Sequence, residues 1–97
     1  MRSWQDMALR AWNEIARLGL RQEEICSVEL AIASAPRPYA KIHVTREAWK
    51  RVGLVPDPDR TGITPPPGVV PRFRHEYCST AEAVTFAACF RAEESVA

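Results

Sequence analysis

The 97-residue chain carries 13 basic and 12 acidic side chains, a formal net charge of +1. That length suits one small domain, residues 1–97, able to bury ~60–65% of its extended surface. An apolar share of 46% excludes wholesale disorder, and the near-neutral charge argues against a protein that coats DNA or a membrane, while leaving room for a local patch.

The first element is a helix with readable ends. Ser3 is placed to cap it, with Asp6 three residues on. Trp4, Met7, Ala8, Ala11, Trp12, Ile15 and Leu18 recur at spacings of three and four as one apolar stripe. Gly19 supplies a left-handed stop, and Leu20 is placed to fold back on Ile15. Arg10, Glu14, Arg17 and Arg21 fall on another face, read as solvated.

Periodicity then becomes alternating. Cys26, Val28, Leu30 and Ile32 share one face of a strand, and Ala35-Pro36-Arg37-Pro38 breaks it. Alternation resumes over Tyr39–Val44, with Ala40, Ile42 and Val44 inward and Tyr39, Lys41 and His43 outward. The two runs are close enough to pair as an antiparallel hairpin. Thr45 can cap a short helix through Val52, ended by Gly53, with Ala48, Trp49 and Val52 on its apolar face.

Residues 55–71 hold six prolines among 17 residues, including Pro65-Pro66-Pro67. A regular element is not expected there; an irregular, surface-exposed segment that contributes to partner recognition is. Two strands close the domain. Phe73, His75 and Tyr77 alternate with Arg72, Arg74, Glu76 and Cys78, and Val84, Phe86, Ala88 and Phe90 alternate with Thr85, Ala87, Cys89 and Arg91. The polar tail, residues 93–97, is expected to fray. The expected fold is therefore α+β in the order α-β-β-α-β-β, a four-stranded, mainly antiparallel sheet with helices packed on one face.

The hairpin, the short helix Thr45–Val52 and the strands over Phe73–Phe90, in an arginine-rich and proline-punctuated chain, resemble small uncharacterised proteins of actinobacteria and their phages. The likeness spans residues 26–91, lies in pattern rather than motif, and brings no functional residues with it. It implies an accessory role against a host or competing system.

The residues themselves supply no catalytic constellation. His75 and Cys78 are three apart in a strand and point to opposite faces, so they cannot form a nucleophile–base pair locally. His43 meets Cys78 or Cys89 only if strand order allows it. Cys26, Cys78 and Cys89 have neither paired zinc spacing nor an even count for disulfides, and the four glycines form no phosphate loop. No enzyme activity, metal or cofactor is expected. Reduced thiols suit the cytoplasm. No apolar run reaches the ~18–20 residues of a membrane span, and no secretory leader is recognisable, so no membrane association is expected.

What remains is a surface. Residues 25–54 carry a net +3, with Arg37, Lys41, Arg46, Lys50 and Arg51 against Glu29 and Glu47. Arg72 and Arg74 would join Lys41, His43 and Tyr39 on the outward sheet face if their strands are neighbours. The candidate binding surface is thus Arg37, Tyr39, Lys41, His43, Arg46, Lys50, Arg72 and Arg74. Two uses are weighed: docking a protein partner, as a phage-type inhibitor or modulator would, or gripping single-stranded nucleic acid through Tyr39, Lys41, Arg72 and Arg74. The three tryptophans lie on apolar helix faces and are read chiefly as core, Trp4 being the exception to watch. The runs Cys26–Ile32 and Ala83–Phe90 are candidate edges for pairing with a twin, giving a homodimer, or with another partner.

Overall fold

A computed structural model describes residues 3–32, 37–59 and 66–96. Helix α1 (Trp4–Leu18) starts where Ser3 Oγ accepts from the Asp6 N–H at 3.2 Å. It stops where Gly19 takes φ 67°, a left-handed conformation that costs glycine nothing, and Leu20 N–H donates to the Ile15 carbonyl. A single 3₁₀ turn (Gln22–Glu24) leads into β1 (Ile25–Ala31), then β2 (Tyr39–Val44). Thr45 caps α2 (Arg46–Val52) through the Ala48 N–H, and Gly53 at φ 73° ends it. Strands β3 (Phe73–Ala81) and β4 (Val84–Arg91) complete the fold, joined at Ala83, which takes φ 62° without being glycine.

The fold is α+β, with a four-stranded sheet in the order β1-β2-β4-β3. The sheet is mixed: β1/β2 and β3/β4 are antiparallel, whereas β2 and β4 run parallel. Two of the three strand pairs are thus antiparallel, in line with a mainly antiparallel sheet, and the parallel β2/β4 pair is the departure, which polarity explains. β4 is buried along nearly its whole length and suits a central slot, whereas β3 carries Arg74, Glu76 and Ser79 and suits an edge. Ala83–Phe90 is therefore no edge strand; β1 and β3 are.

Met7, Ala11 and Ile15 of α1 and Ala48 and Trp49 of α2 share one core cluster with Ala40, Ile42, Val44, Val84, Phe86, Ala88, Phe90 and Cys78. Trp49 is fully buried, edge-on to Phe90 with ring centroids 5.9 Å apart. Trp4 and Trp12, counted with the same stripe, are 58% and 66% exposed. Trp12 falls about 140° around the helix from Met7, past the buried sector. Conversely Glu14, expected to be solvated, is buried and receives two hydrogen bonds from Arg17 at 2.9 and 3.0 Å. The tail does not fray over residues 93–96. Glu94 takes hydrogen bonds from Arg46 and Lys50, its carbonyl accepts from Arg74, and Val96 packs against the core.

Glu24 joins the α1–β1 corner to α2. Arg51 grips its carboxylate at 2.5 and 2.9 Å and also donates to the Gly19 carbonyl. The Arg51 hydrogen bonds, followed by the Arg21 backbone N–H, lower the Glu24 pKa to about 2 from 4.5. A depressed carboxylate contributes stability that is complete above its unfolded value and lost as pH falls towards the folded one. Melting temperature should therefore fall between about pH 4.5 and 2. Glu24→Gln should lower it at pH 7 and shallow that acid slope. An unchanged slope in the variant would show that the Arg51 grip contributes nothing to folding. Glu14 and Glu94, lowered chiefly by hydrogen bonds from Arg17 and Lys50 respectively, titrate in the same direction and leave residual slope in the variant.

Candidate functional site

Alternation along β2 and β4 sends their even-numbered residues to the helix side and their odd-numbered residues to the other face. That open face has a floor of small residues on β4, Thr85 and Ala87, both buried beneath longer neighbours. Tyr39, Lys41 and His43 stand beside it on β2, and Ser79, Tyr77 and His75 on β3. Lys41 reaches over the floor: its Nζ lies 5.9 Å from the Tyr39 ring and 5.6 Å from the Tyr77 ring. The rings of His75 and Tyr77 stack at 6.5 Å. Glu29 of β1 sits opposite Lys41, with its carboxylate 3.7 Å from Lys41 Nζ and 3.7 Å from His43 Nε2. Where Tyr39 ends the row, a cleft of about 350 Å³ opens between Arg37, Tyr39, Ser79 and Glu82, at the small end for a ligand pocket.

The eight candidate residues do not form one surface. Tyr39, Lys41 and His43 share the open face, and Arg37 lines its end cleft. Arg46 and Lys50 lie on α2, paired with Glu94. Arg72 is exposed just before β3. Arg74 is opposite Phe90, on the helix side, with its guanidinium 5.7 Å from that ring. It donates to Glu76 and to the carbonyls of Arg91, Ala92 and Glu94, so its task is to hold the C-terminal turn. The expected junction of Arg72 and Arg74 with Lys41 and His43 fails on strand order, because β4 separates β2 from β3.

The inversion of β3 brings residues to the open face that alternation had read as core. Phe73, His75 and Tyr77 are there, with Phe73 59% exposed and in register with Arg91. His75 is in register with Cys89, a neighbour that only strand order reveals. Cys78 faces the core, and burial pushes its thiol pKa up, which suppresses its reactivity. Cys26 and Cys89 are exposed free thiols. Among the described residues, no group of three or more His, Cys, Asp or Glu is placed to hold a metal ion, and no helix is long and apolar enough to cross a membrane.

The proline-rich segment is only partly described, and Pro65 lies outside the described residues, as do Ala35 and Pro36 of the first break. Its first part is tied to β3. Asp57 N–H donates to the Tyr77 carbonyl at 2.7 Å, and the Asp57 carboxylate accepts from the Ser79 N–H and hydroxyl. Its last part, with Val69 and Val70 exposed, runs directly into Phe73. No family model matches the chain, and no curated protein or solved structure is significantly similar to it.

Proposed function

We propose that the chain is a non-enzymatic protein-binding accessory domain that docks through the open face of its sheet and the Val69–Phe73 flank. The observation that carries this reading is Phe73, a large ring 59% exposed at the end of the Tyr39–Lys41–Tyr77–His75 row and adjoining exposed Val69 and Val70. Rings held over a rigid floor lose little entropy on docking, and exposed aromatic clusters of this kind serve as interface anchors. Single-stranded nucleic acid is the less favoured ligand. Lys41 is already engaged by Glu29 and two rings, and Arg74 belongs to the opposite side. The phage-type role implied by the resemblance, as modulator of a host or defence protein, is the form we give the activity. We place it in the cytoplasm, where exposed thiols such as Cys26 and Cys89 persist.

The test compares wild type with Phe73→Ala and Lys41→Ala as baits in the native cell extract, followed by titration of the purified partner. Loss of about 2 kcal/mol of affinity in Phe73→Ala, a ~30-fold weakening, is expected of an anchor residue. A parallel titration uses a fluorescent single strand at low salt. Tight strand binding lost in Lys41→Ala, with no protein captured by wild type, would replace the protein reading with the nucleic-acid one.

A further inference from the structure

The two edges of the sheet are treated differently. The β3 edge is covered at Tyr77–Ser79 by the hydrogen bonds of Asp57. Among the described residues no strand pairs with the outer side of β1. β1 has no proline and no lysine, and its only irregularity is the register shift beside Cys26 at one end. Val28 and Leu30, on its helix side, are 45% and 38% exposed. An apolar strand edge left open in this way is a template for another strand.

An unpartnered stripe of α1 lies on the same side. Trp4, Ala8 and Trp12 recur at i, i+4 and i+8, and both tryptophans are more exposed than buried. The direction of this stripe follows from Glu14, on the opposite flank of the helix. Glu14 lies beside the Thr80 hydroxyl at the β3 edge, though without a hydrogen bond of ordinary geometry. The Trp12 flank therefore faces the β1 edge, and α1 packs on both β2 and β1.

We infer that this side receives a second copy of the chain, β1 against β1, about a two-fold axis perpendicular to the sheet. Two four-stranded sheets join into one of eight strands, and the helices stay on a common face. The dimensions suit the tryptophans. With α1 seated chiefly on β2, one and a half strand spacings from the axis, the two α1 helices lie about 14 Å apart. That exceeds the ~8–10 Å of close helix packing, so large rings rather than alanines are needed to fill the gap. Charge selects a register: centring on Val28 sets Glu29 against Ser27 of the second copy, whereas centring on Glu29 opposes two carboxylates. Two half-exposed tryptophans offer roughly 250 Å² per copy. With Val28, Leu30, Leu9 at the rim and the strand itself, the pair buries about 1,200 Å², where stable interfaces begin. The open face lies on the far side of the sheet and stays accessible on both copies.

Sedimentation of the full chain from about 1 to 200 μM should show the mean mass rising towards twice the monomer, with a Kd in the micromolar range. Leu30→Lys and Trp12→Glu, at exposed positions, should each weaken association at least tenfold while leaving the circular dichroism and melting of the dilute monomer unchanged. Amide exchange should slow with concentration in β1 and not in β3. A chain that stays monomeric at 200 μM overturns the proposal, as does a dimer that survives both substitutions or one whose β1 amides are unprotected. The open-face reading is untouched by any of these results, since Phe73 and Lys41 lie outside this interface.

Discussion

Trp49→Ala should cost about 3–5 kcal/mol of folding stability, the range for removing a large aromatic ring from a packed core. Trp49 is the largest fully buried side chain, and it is the main apolar link between α2 and the sheet through its edge-on contact with Phe90. α2 is only 7 residues long, too short to persist without packing. Small domains have about 5–15 kcal/mol in total, so the variant should lose between about a fifth and nearly all of its stability. Trp49→Phe separates ring packing from the polar atom. Among the described residues the buried indole Nε1 has no hydrogen-bond partner, a defect of about 1–3 kcal/mol that phenylalanine does not carry. Phenylalanine should therefore restore most of the stability lost in alanine, despite its smaller volume. Urea unfolding of both variants measures this. A Trp49→Ala midpoint close to wild type would mean that α2 is not seated on the sheet.

Which parts of the fold were legible follows from which patterns have a single physical cause. Capping was readable because Ser3, Thr45, Gly19 and Gly53 each answer a local hydrogen-bonding or dihedral demand. Inward positions on β2 and β4 were readable because one face is buried and alternation reports it. β3 broke that rule. Its rings lie on the open face, covering the small β4 residues, while Arg74 and Glu76 lie on the helix side and pair with each other. Polar residues are tolerated there because Arg74 also satisfies three carbonyls of the C-terminal turn. Alternation alone cannot tell a strand's two faces apart when rings occupy one and paired charges the other.

The parallel β2/β4 pair was hidden for another reason. Sequence proximity favours a meander, and only the nearly continuous apolar run of Val84–Phe90 marks β4 as central. Its central position divides the basic patch and brings His75 opposite Cys89. Trp12 shows the limit of a stripe argument. Spacings of three and four define a face broader than the sheet covers, and residues at its margin are left to solvent or to a second surface.

The proline-rich segment is expected to lie on the surface, and Asp57 ties its first part to the β3 edge. Removing its carboxylate in Asp57→Ala abandons the Ser79 N–H, which Asp57 meets at 3.0 and 3.1 Å, and the Ser79 hydroxyl at 2.8 Å. Charge-assisted hydrogen bonds at a half-exposed site are worth about 1–2 kcal/mol in total, a drop of about 5–15 °C in melting temperature for a domain of this size. The backbone bond from Asp57 to the Tyr77 carbonyl survives the substitution in principle, but it loses the anchor that holds it. The β3 edge then becomes available to other strands, so aggregation on heating should rise with protein concentration. Asp57→Asn keeps one acceptor oxygen and should fall between alanine and wild type. Val69→Ala and Val70→Ala, at exposed positions, should change stability by no more than about 0.5 kcal/mol while weakening partner binding. Stability carried by Asp57 and recognition carried by Val69 and Val70 would then be separable within one segment. If Asp57→Ala melts like wild type, the segment is a spacer crossing the edge without guarding it. If Val69→Ala and Val70→Ala together leave partner affinity unchanged, the docking face ends at Phe73.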